Sequence, residues 1–457
     1  MKEELAALKQ THTWDIVNLP PGKSPVGCKW VYKVKTKSDG TVERYKARLV
    51  AKGFTQEYGI DYEETFAPVA RMTSVRTLIA VASIRGWQLS QMDVKNAFLN
   101  GDLHEEVYMK PPPGLPCQPH QVCKLRRALY GLKQAPRAWF EKFSSAVLSF
   151  GFQQSSHDST LFIRQSSQGL VLLLLYVDDM IITSSDTVGI HDIKTHLAGL
   201  TDNKAVDTPL ELNVKLRSTD GELVSDPTLY RQLVGGLIYL TITRPDISYA
   251  VQVVSQFMTS PRTVHFAAVL RILRYVRGTM HQGLLMSSSS KLELNAYSDS
   301  DWAGDVTDRR STTGFCIFLG DSLISWKSKK QTVVARSSAE AEYRALADTT
   351  SEIIWLRRLL EDMGVAIPSP TPLHCDSKSA IQIAHNDVFH ERTKHIEIDC
   401  HFIRHWLRDG VIVLPFIPSQ LQVADFFTKS HSTIRFRYLV SKLQMLPSQH
   451  LEFEGGC

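Results

Sequence analysis

Alternation of apolar and polar positions is the first signal along the chain. Cys28-Lys-Trp-Val-Tyr-Lys-Val34 alternates with the period of a strand, and Ser38-Asp39-Gly40 after it has hairpin-turn chemistry. The return strand is expected over 42–52. Residues 73–86 read as a helix closed by Gly86. Residues 89–98 read as a strand carrying an aspartate. Residues 107–109 form a short strand before the prolines 111–113, which make a loop. A helix is expected over 135–150. Residues 161–164 and 170–183 read as a hairpin with Asp178-Asp179 at or near its turn. The stretch 229–277 is helix-rich, with Pro261 at one helix start and Gly278 past the end of another. The serine run 287–290 reads as a linker. Beyond it come strands at 292–297, 313–318 and 323–326, a helix at 339–363, a strand at 372–375 and a helix at 377–385. That order predicts a second, α/β domain.

Length and composition narrow this picture. A chain of 457 residues accommodates two or three domains. With 43% hydrophobic and 22% charged residues, wholesale disorder is excluded. The longest apolar run, Leu170 to Val177, is too short to span a bilayer and ends in two aspartates. The opening Met1-Lys-Glu-Glu reads as the start of a polar, helix-like stretch and not as a targeting segment. These features predict a soluble intracellular protein, cytoplasmic or nuclear, with no membrane partner. Seven cysteines, an odd number without a Cys-x-x-Cys pair, argue against a secreted disulfide framework and fit a reducing compartment better. The net charge of +5 is compatible with a nucleic-acid partner without identifying one.

Two sets of carboxylates could carry chemistry. Asp93 lies in Gln91-Met-Asp-Val-Lys-Asn-Ala-Phe-Leu, and Asp178 and Asp179 in Tyr176-Val-Asp-Asp-Met. Each interrupts an apolar segment, where an unpaired carboxylate is costly. A hairpin tip explains an Asp-Asp pair equally well. Paired Mg²⁺ ions, which take oxygen ligands, are the alternative. The second set is Asp299, Glu342, Asp376 and Asp425, placed at strand ends and helix starts. Each singly reads as a helix-end acid, and together they could converge on a metal pair.

At this level the residues resemble a known family. Lys46-Ala-Arg-Leu-Val-Ala-Lys-Gly-Phe, Met92-Asp-Val-Lys-Asn-Ala-Phe-Leu-Asn-Gly, Leu129-Tyr-Gly-Leu-Lys-Gln-Ala-Pro-Arg-Ala-Trp, Tyr176-Val-Asp-Asp-Met, Thr243-Arg-Pro-Asp-Ile, Ser337-Ser-Ala-Glu-Ala-Glu-Tyr and Arg392-Thr-Lys-His-Ile stand in order. Nearly the whole chain thus resembles the reverse transcriptase and ribonuclease H region of a copia-type retrotransposon polyprotein, plant elements above all. The resemblance implies an α+β and α/β multidomain protein. Residues 1–200 would be polymerase fingers and palm, 201–288 a shortened, helix-rich thumb and connection, and 289–457 a ribonuclease H-like domain with a tail.

The resemblance also implies roles. Asp93, Asp178 and Asp179 match the polymerase metal triad. Arg48 matches the arginine that holds the incoming triphosphate, and Phe98 the steric gate against a ribose 2′-OH. Gly131, Lys133 and Pro136 match the loop and helix against template and nucleotide. Asp299, Glu342, Asp376 and Asp425 match the ribonuclease H quartet, with Glu340 a rival to Glu342. Two Mg²⁺ or Mn²⁺ ions per site are implied. So are an RNA template, a DNA primer, RNA–DNA hybrids and deoxynucleotides as partners. One departure stands out. The family carries several tens more residues between segments matching His196–Leu200 and Val206–Pro209, here joined by 201–205 alone. Those residues resemble primer-holding structure. Three readings stay open: polymerase with ribonuclease H, ribonuclease H alone, and a non-catalytic nucleic-acid-binding remnant.

Other features weigh less. Cys117-x-x-His120-x-x-Cys123 lacks a fourth zinc ligand nearby. His390, His395, His401 and His405 have basic flanks, which disfavour a cation. Arg271, Arg274 and Arg277 could follow phosphates or form a solvated face. Trp139, Trp302, Trp326 and Trp355 are expected in the core.

Overall fold

The computed structural model describes residues 2–36, 42–94, 96–166, 169–177, 179–184, 207–212, 215–279, 281–386 and 396–447. The expected hairpin turn at 38–40, Asp178, the junction at 201–205, and His390 and His395 lie outside them. Two compact units result: Met1–Arg71 with Trp87–Thr201, and Met72–Gly86 with Asp202–Cys457. This divides the chain differently from the three expected segments. Among the described residues no helix is long and apolar enough to cross a membrane. The six described cysteines are all free.

In the first unit a five-stranded antiparallel sheet runs in the order Gln88–Asp93, Asp179–Ser184, Gly169–Tyr176, Leu161–Ser166, Gln153–Gln154. Leu172 to Leu175 are buried at four successive positions, so both faces of the central strand are covered. The helix Ala135–Ser149 supplies Trp139, Phe143 and Val147 to the core with Phe162, Leu173, Leu175 and Met180. Leu8, Leu49, Val107, Met109, Leu125 and Leu129 build a second core under the hairpin Cys28–Thr36/Val42–Ala51.

The second unit is built on a five-stranded mixed sheet: Ser322–Lys330, Thr312–Leu319, Leu294–Ser300, Thr371–His374, Ile412–Val413. The first three strands are antiparallel and the last two join in parallel. The helix Ser338–Asp362 packs on Leu294–Ser300 and Thr312–Leu319. The helices Pro227–Leu240, Ser248–Ser255 and Thr263–Gly278 share one core with Phe318, Leu323 and Phe427. The Thr243-Arg-Pro-Asp-Ile motif serves this core. The Arg244 guanidinium donates to both Asp246 oxygens (2.9 and 2.6 Å) and to the Thr279 carbonyl (2.9 Å), while Tyr275 Oη donates to Asp246 (2.7 Å).

The helix Met72–Arg85 belongs to this second unit although its sequence neighbours belong to the first. Arg76 fixes it. Its guanidinium lies 3.8 Å from the centre of the Trp326 ring and donates to the carbonyls of Ile324 and Ile242, both at 2.7 Å. Burial pulls the Arg76 pKa down to about 10, which leaves the group charged at neutral pH. The tryptophans do not behave alike. Trp139 is buried, but Trp302 is 56% exposed, which corrects the expectation that all four are core. Trp302 sits just past the end of a strand, and its indole N–H donates to the Ala335 carbonyl (3.3 Å).

Candidate active sites

In the second unit the sheet and the long helix bring four carboxylates to one place. Asp299 lies at the end of the central strand, where its neighbours on both sides bury it. The helix Ser338–Asp362 begins on a capping pair: Ser337 Oγ accepts from the Glu340 N–H (3.2 Å), and Glu340 accepts from the Arg336 N–H (2.7 Å). Glu340 also holds the Arg344 guanidinium at 3.0 Å, so its carboxylate is fully engaged. Glu342 points elsewhere. Its carboxylate is buried, and its Oε2 has no hydrogen-bond partner among the described residues. Asp376 follows the strand Thr371–His374 and accepts from Ser419 Oγ (2.6 Å). Asp425 sits on the single turn Ala424–Phe427.

Oxygens of Asp299, Asp376 and Asp425 lie within 4.8 Å of one another, as do ligand atoms of Glu342, Cys375 and Asp376. Asp376 is therefore the shared corner of two overlapping groups. Cys375 was not singled out in the sequence; only its place beside Asp376 hinted at it. Burial pushes its thiol far up, out of the thiolate range.

Crowding has an electrostatic cost that the protein only partly offsets. Burial pushes Asp299 up to about 7, reinforced by Asp425 and Asp376 and opposed by Lys429 and a hydrogen bond from Thr428 Oγ1. Burial, then Asp299 and Asp376, hold Glu342 well above the usual carboxylate range. Lys429 Nζ lies 2.6 Å from Asp425 Oδ1 and 3.9 Å from Asp299 Oδ2. Arg435 lies 3.6 Å from Asp425 Oδ2. His431 donates from Nε2 to the Asp425 carbonyl (3.0 Å), and burial holds its ring below its ordinary pKa, hence neutral. An oxygen-dominated donor set with an orphaned buried Glu342 oxygen fits a hard divalent cation such as Mg²⁺ or Mn²⁺.

In the first unit Asp93 and Asp179 stand opposite each other in antiparallel register. Gln91 Nε2 donates to Asp179 Oδ1 (3.2 Å). The turn before Asp179 is strained: Val177, a β-branched residue, has φ +61°. Trp139 Nε1 holds the Val177 carbonyl at 2.8 Å. A separate group forms around Tyr130. The Arg48 guanidinium lies 4.5 Å from the Tyr130 ring, and the Phe98 ring centre 4.9 Å from it. Arg48 Nε is buried with no acceptor among the described residues. In the sequence Tyr130 stands out only as part of the Leu129–Trp139 motif, because a lone loop tyrosine has no periodic signal.

Gly131 has φ +90°, and a Cβ there would meet the Ala51 carbonyl at 2.3 Å. The loop therefore touches the 51–53 backbone directly, and the Ala51 N–H donates to the Tyr130 carbonyl (2.7 Å). Lys133 reaches across to the 56–62 segment, donating to the Gln56 carbonyl (3.0 Å) and Tyr62 Oη (3.1 Å). Pro136 lies in the first turn of the helix Ala135–Ser149. Arg271 is likewise engaged, with Glu211 (3.1 Å) and Thr208 (3.0 Å). Cys123 is buried, and its thiol is pushed up to about 12, which disfavours metal binding there.

Comparison with known proteins bears on both units. Residues 11–211 match the family described as "Reverse transcriptase (RNA-dependent DNA polymerase)". Over 97% of its length the chain is 42% identical to the Retrovirus-related Pol polyprotein from transposon RE1 of Arabidopsis thaliana, covering 33% of that protein. It is 42% identical over 98% of its length to the transposon RE2 polyprotein of the same plant, covering 34%. The corresponding values for the transposon TNT 1-94 polyprotein of Nicotiana tabacum are 38%, 94% and 36%. The chain thus spans about a third of the length of these relatives. The RE1 match extends over 487 positions, more than the 457 residues of the chain. RE1 therefore carries residues within the matched region that this chain lacks.

Proposed function

The chain belongs to the copia-type retrotransposon Pol polyproteins, and from that premise we propose that its second unit cleaves the RNA strand of RNA–DNA hybrids at Asp299, Glu342, Asp376 and Asp425. The observation that carries this reading is the convergence of these acids, with Glu342 buried and one of its oxygens unpartnered. Two divalent ions held there would neutralise phosphate charge and activate a water for hydrolysis. The protein's own contribution is orientation. Ser419 holds Asp376, Thr428 holds Asp299, and the cap at Ser337 and Glu340 points the next turn, with Glu342, at the site.

The first unit is the corresponding RNA-directed DNA polymerase, with Asp93, Asp178 and Asp179 as metal ligands. Arg48, Phe98, Gly131 and Lys133 face the nucleotide on this reading. The cluster of Arg48 and Phe98 on Tyr130 supports it, since a guanidinium suits a triphosphate and an aromatic ring suits a sugar edge. RNA template, DNA primer and deoxynucleotides are its partners.

The test is hybrid cleavage by the purified chain in Mg²⁺ or Mn²⁺. Asp376→Asn, which removes a ligand charge with little change in volume, should lower cleavage by about 10²-fold or more, since metal catalysis supplies several kcal/mol. Circular dichroism should show the fold unchanged. Chelation by EDTA should abolish cleavage reversibly. Full cleavage by Asp376→Asn would overturn the assignment.

A further inference from the structure

Lys429 takes no part in the chemistry proposed for the acid cluster, yet it stands inside it. Its Nζ sits between two buried carboxylates, 2.6 Å from Asp425 Oδ1 and 3.9 Å from Asp299 Oδ2. Asp425 and Asp299 are 5% and 3% exposed, while the Lys429 side chain is 47% exposed. The ammonium thus enters the acid cluster from solvent and has an open way out. Arg435, the other cation at Asp425, has none: it is tied to the carbonyls of Ser419 (3.3 Å), Gln420 and Gln422 (3.2 Å). His431 is neutral and donates to a carbonyl oxygen, so it adds no charge. Asp376, the third acid of the group, is held by the neutral Ser419.

We propose that Lys429 is a tethered competitor for the divalent-cation position between Asp299 and Asp425. It offsets the buried charge of the metal-free protein and swings to solvent when an ion enters. This rests on the metal-centre reading above. Two cations a few ångströms apart repel strongly where water is scarce, so ammonium and ion cannot share the site without loss. Lys429 therefore sets the metal affinity of the unit. It keeps the site from filling at low ion concentration and keeps the fold intact when the site is empty.

Mn²⁺ alone, without nucleic acid, is the probe. Calorimetric titration of the full chain should show that Lys429→Met, a neutral side chain of similar length, binds Mn²⁺ at least about tenfold more tightly than the native chain. Lys429→Arg, which keeps the charge, should bind no more tightly than native. The native chain gives a second readout. Acetylation of Lys429, followed by mass spectrometry of its peptide, should speed up as Mn²⁺ saturates the site, because the ammonium is released. Asp376→Asn separates the two levels of the argument. If native protein binds Mn²⁺ and Asp376→Asn does not, the metal centre stands. The competitor role then falls if Lys429→Met binds no more tightly or if Lys429 acetylation does not accelerate. If neither native nor Lys429→Met binds Mn²⁺, the metal centre itself falls, and the competitor role with it. Should Lys429→Met fail to fold, the acetylation rate in native protein decides alone.

Discussion

Phe98 and Gly131 show how much single positions decide around Tyr130. The Phe98 ring rests on Tyr130 at a 59° tilt, which limits its freedom to move. In any residual primer extension, Phe98→Ala should raise incorporation of ribonucleotides relative to deoxynucleotides. An unchanged ratio in competition assays would remove the steric-gate role. Gly131 bears on stability. Its φ of +90° and the 2.3 Å approach of a Cβ to the Ala51 carbonyl mean that Gly131→Ala must move backbone. Gly151 has a similar φ of +82° but open space around it. Gly131→Ala should therefore cost roughly 2–4 kcal/mol, and Gly151→Ala about 1 kcal/mol. At roughly 2–4 °C per kcal/mol for a unit of this size, differential scanning calorimetry separates the two. Equal shifts would mean that the loop yields without resistance.

At the scale of elements, the helix Thr263–Gly278 depends on one histidine. His265 Nδ1 accepts from the Arg262 N–H (3.0 Å), and Nε2 donates to the Arg217 carbonyl (2.9 Å). Both bonds require the neutral ring with its proton on Nε2. The ring is buried and stacked 3.8 Å from Phe257. Burial, aided by Arg262 and opposed by the Arg217 carbonyl and Asp220, holds its pKa below the ordinary value. The unfolded chain thus binds the proton more readily than the folded one. The contribution of His265 is fully present above pH ~6.5 and is lost as pH falls through that value toward the lower folded pKa. In urea unfolding of the second unit, the stability difference between the native chain and His265→Gln should shrink as pH falls below ~6.5, while the raised acids Asp299 and Glu342 act in the opposite direction in both proteins. A difference that does not change with pH would refute the role.

Helix positions were largely legible in the sequence: 73–86 became Met72–Arg85, and 339–363 became Ser338–Asp362. The partner of a helix was not. An apolar face does not name what covers it, and it is contacts such as Arg76 on Trp326 and on the Ile324 and Ile242 carbonyls that tie the 72–85 helix to the second unit. The expected strand 89–98 stops at Asp93, because the chain turns at Asn96 (φ +57°) into a short turn over Ala97–Asn100. The four acids of the second unit were visible as strand-end and helix-start residues. Between Glu340 and Glu342 the sequence favours Glu342, which stands in Ala-Glu-Tyr-Arg-Ala-Leu, and the cap adds that the Glu340 carboxylate is taken up by the Arg336 N–H and Arg344.

The whole molecule carries its two carboxylate sets in separate compact units, so one can fail without the other. The relatives possess residues in the matched region that this chain lacks. On the family resemblance, the missing residues fall at 201–205, in what resembles primer-holding structure. Polymerisation needs the primer 3′-hydroxyl close to the reacting phosphate, and a misplacement of about 1 Å costs ~10²-fold. Ribonuclease action on a formed hybrid has no such requirement, and the resemblance implies no comparable deficit over 289–457. The purified chain should therefore give weak or absent primer extension alongside Mg²⁺- or Mn²⁺-dependent hybrid cleavage. Asp178→Asn should leave that cleavage nearly untouched. Both activities are measurable on the same preparation, which removes differences in folding yield as an explanation. Robust, processive DNA synthesis would overturn the view that the deficit disables the polymerase. Loss of cleavage in Asp178→Asn but not in Asp376→Asn would place the hydrolytic site in the wrong unit.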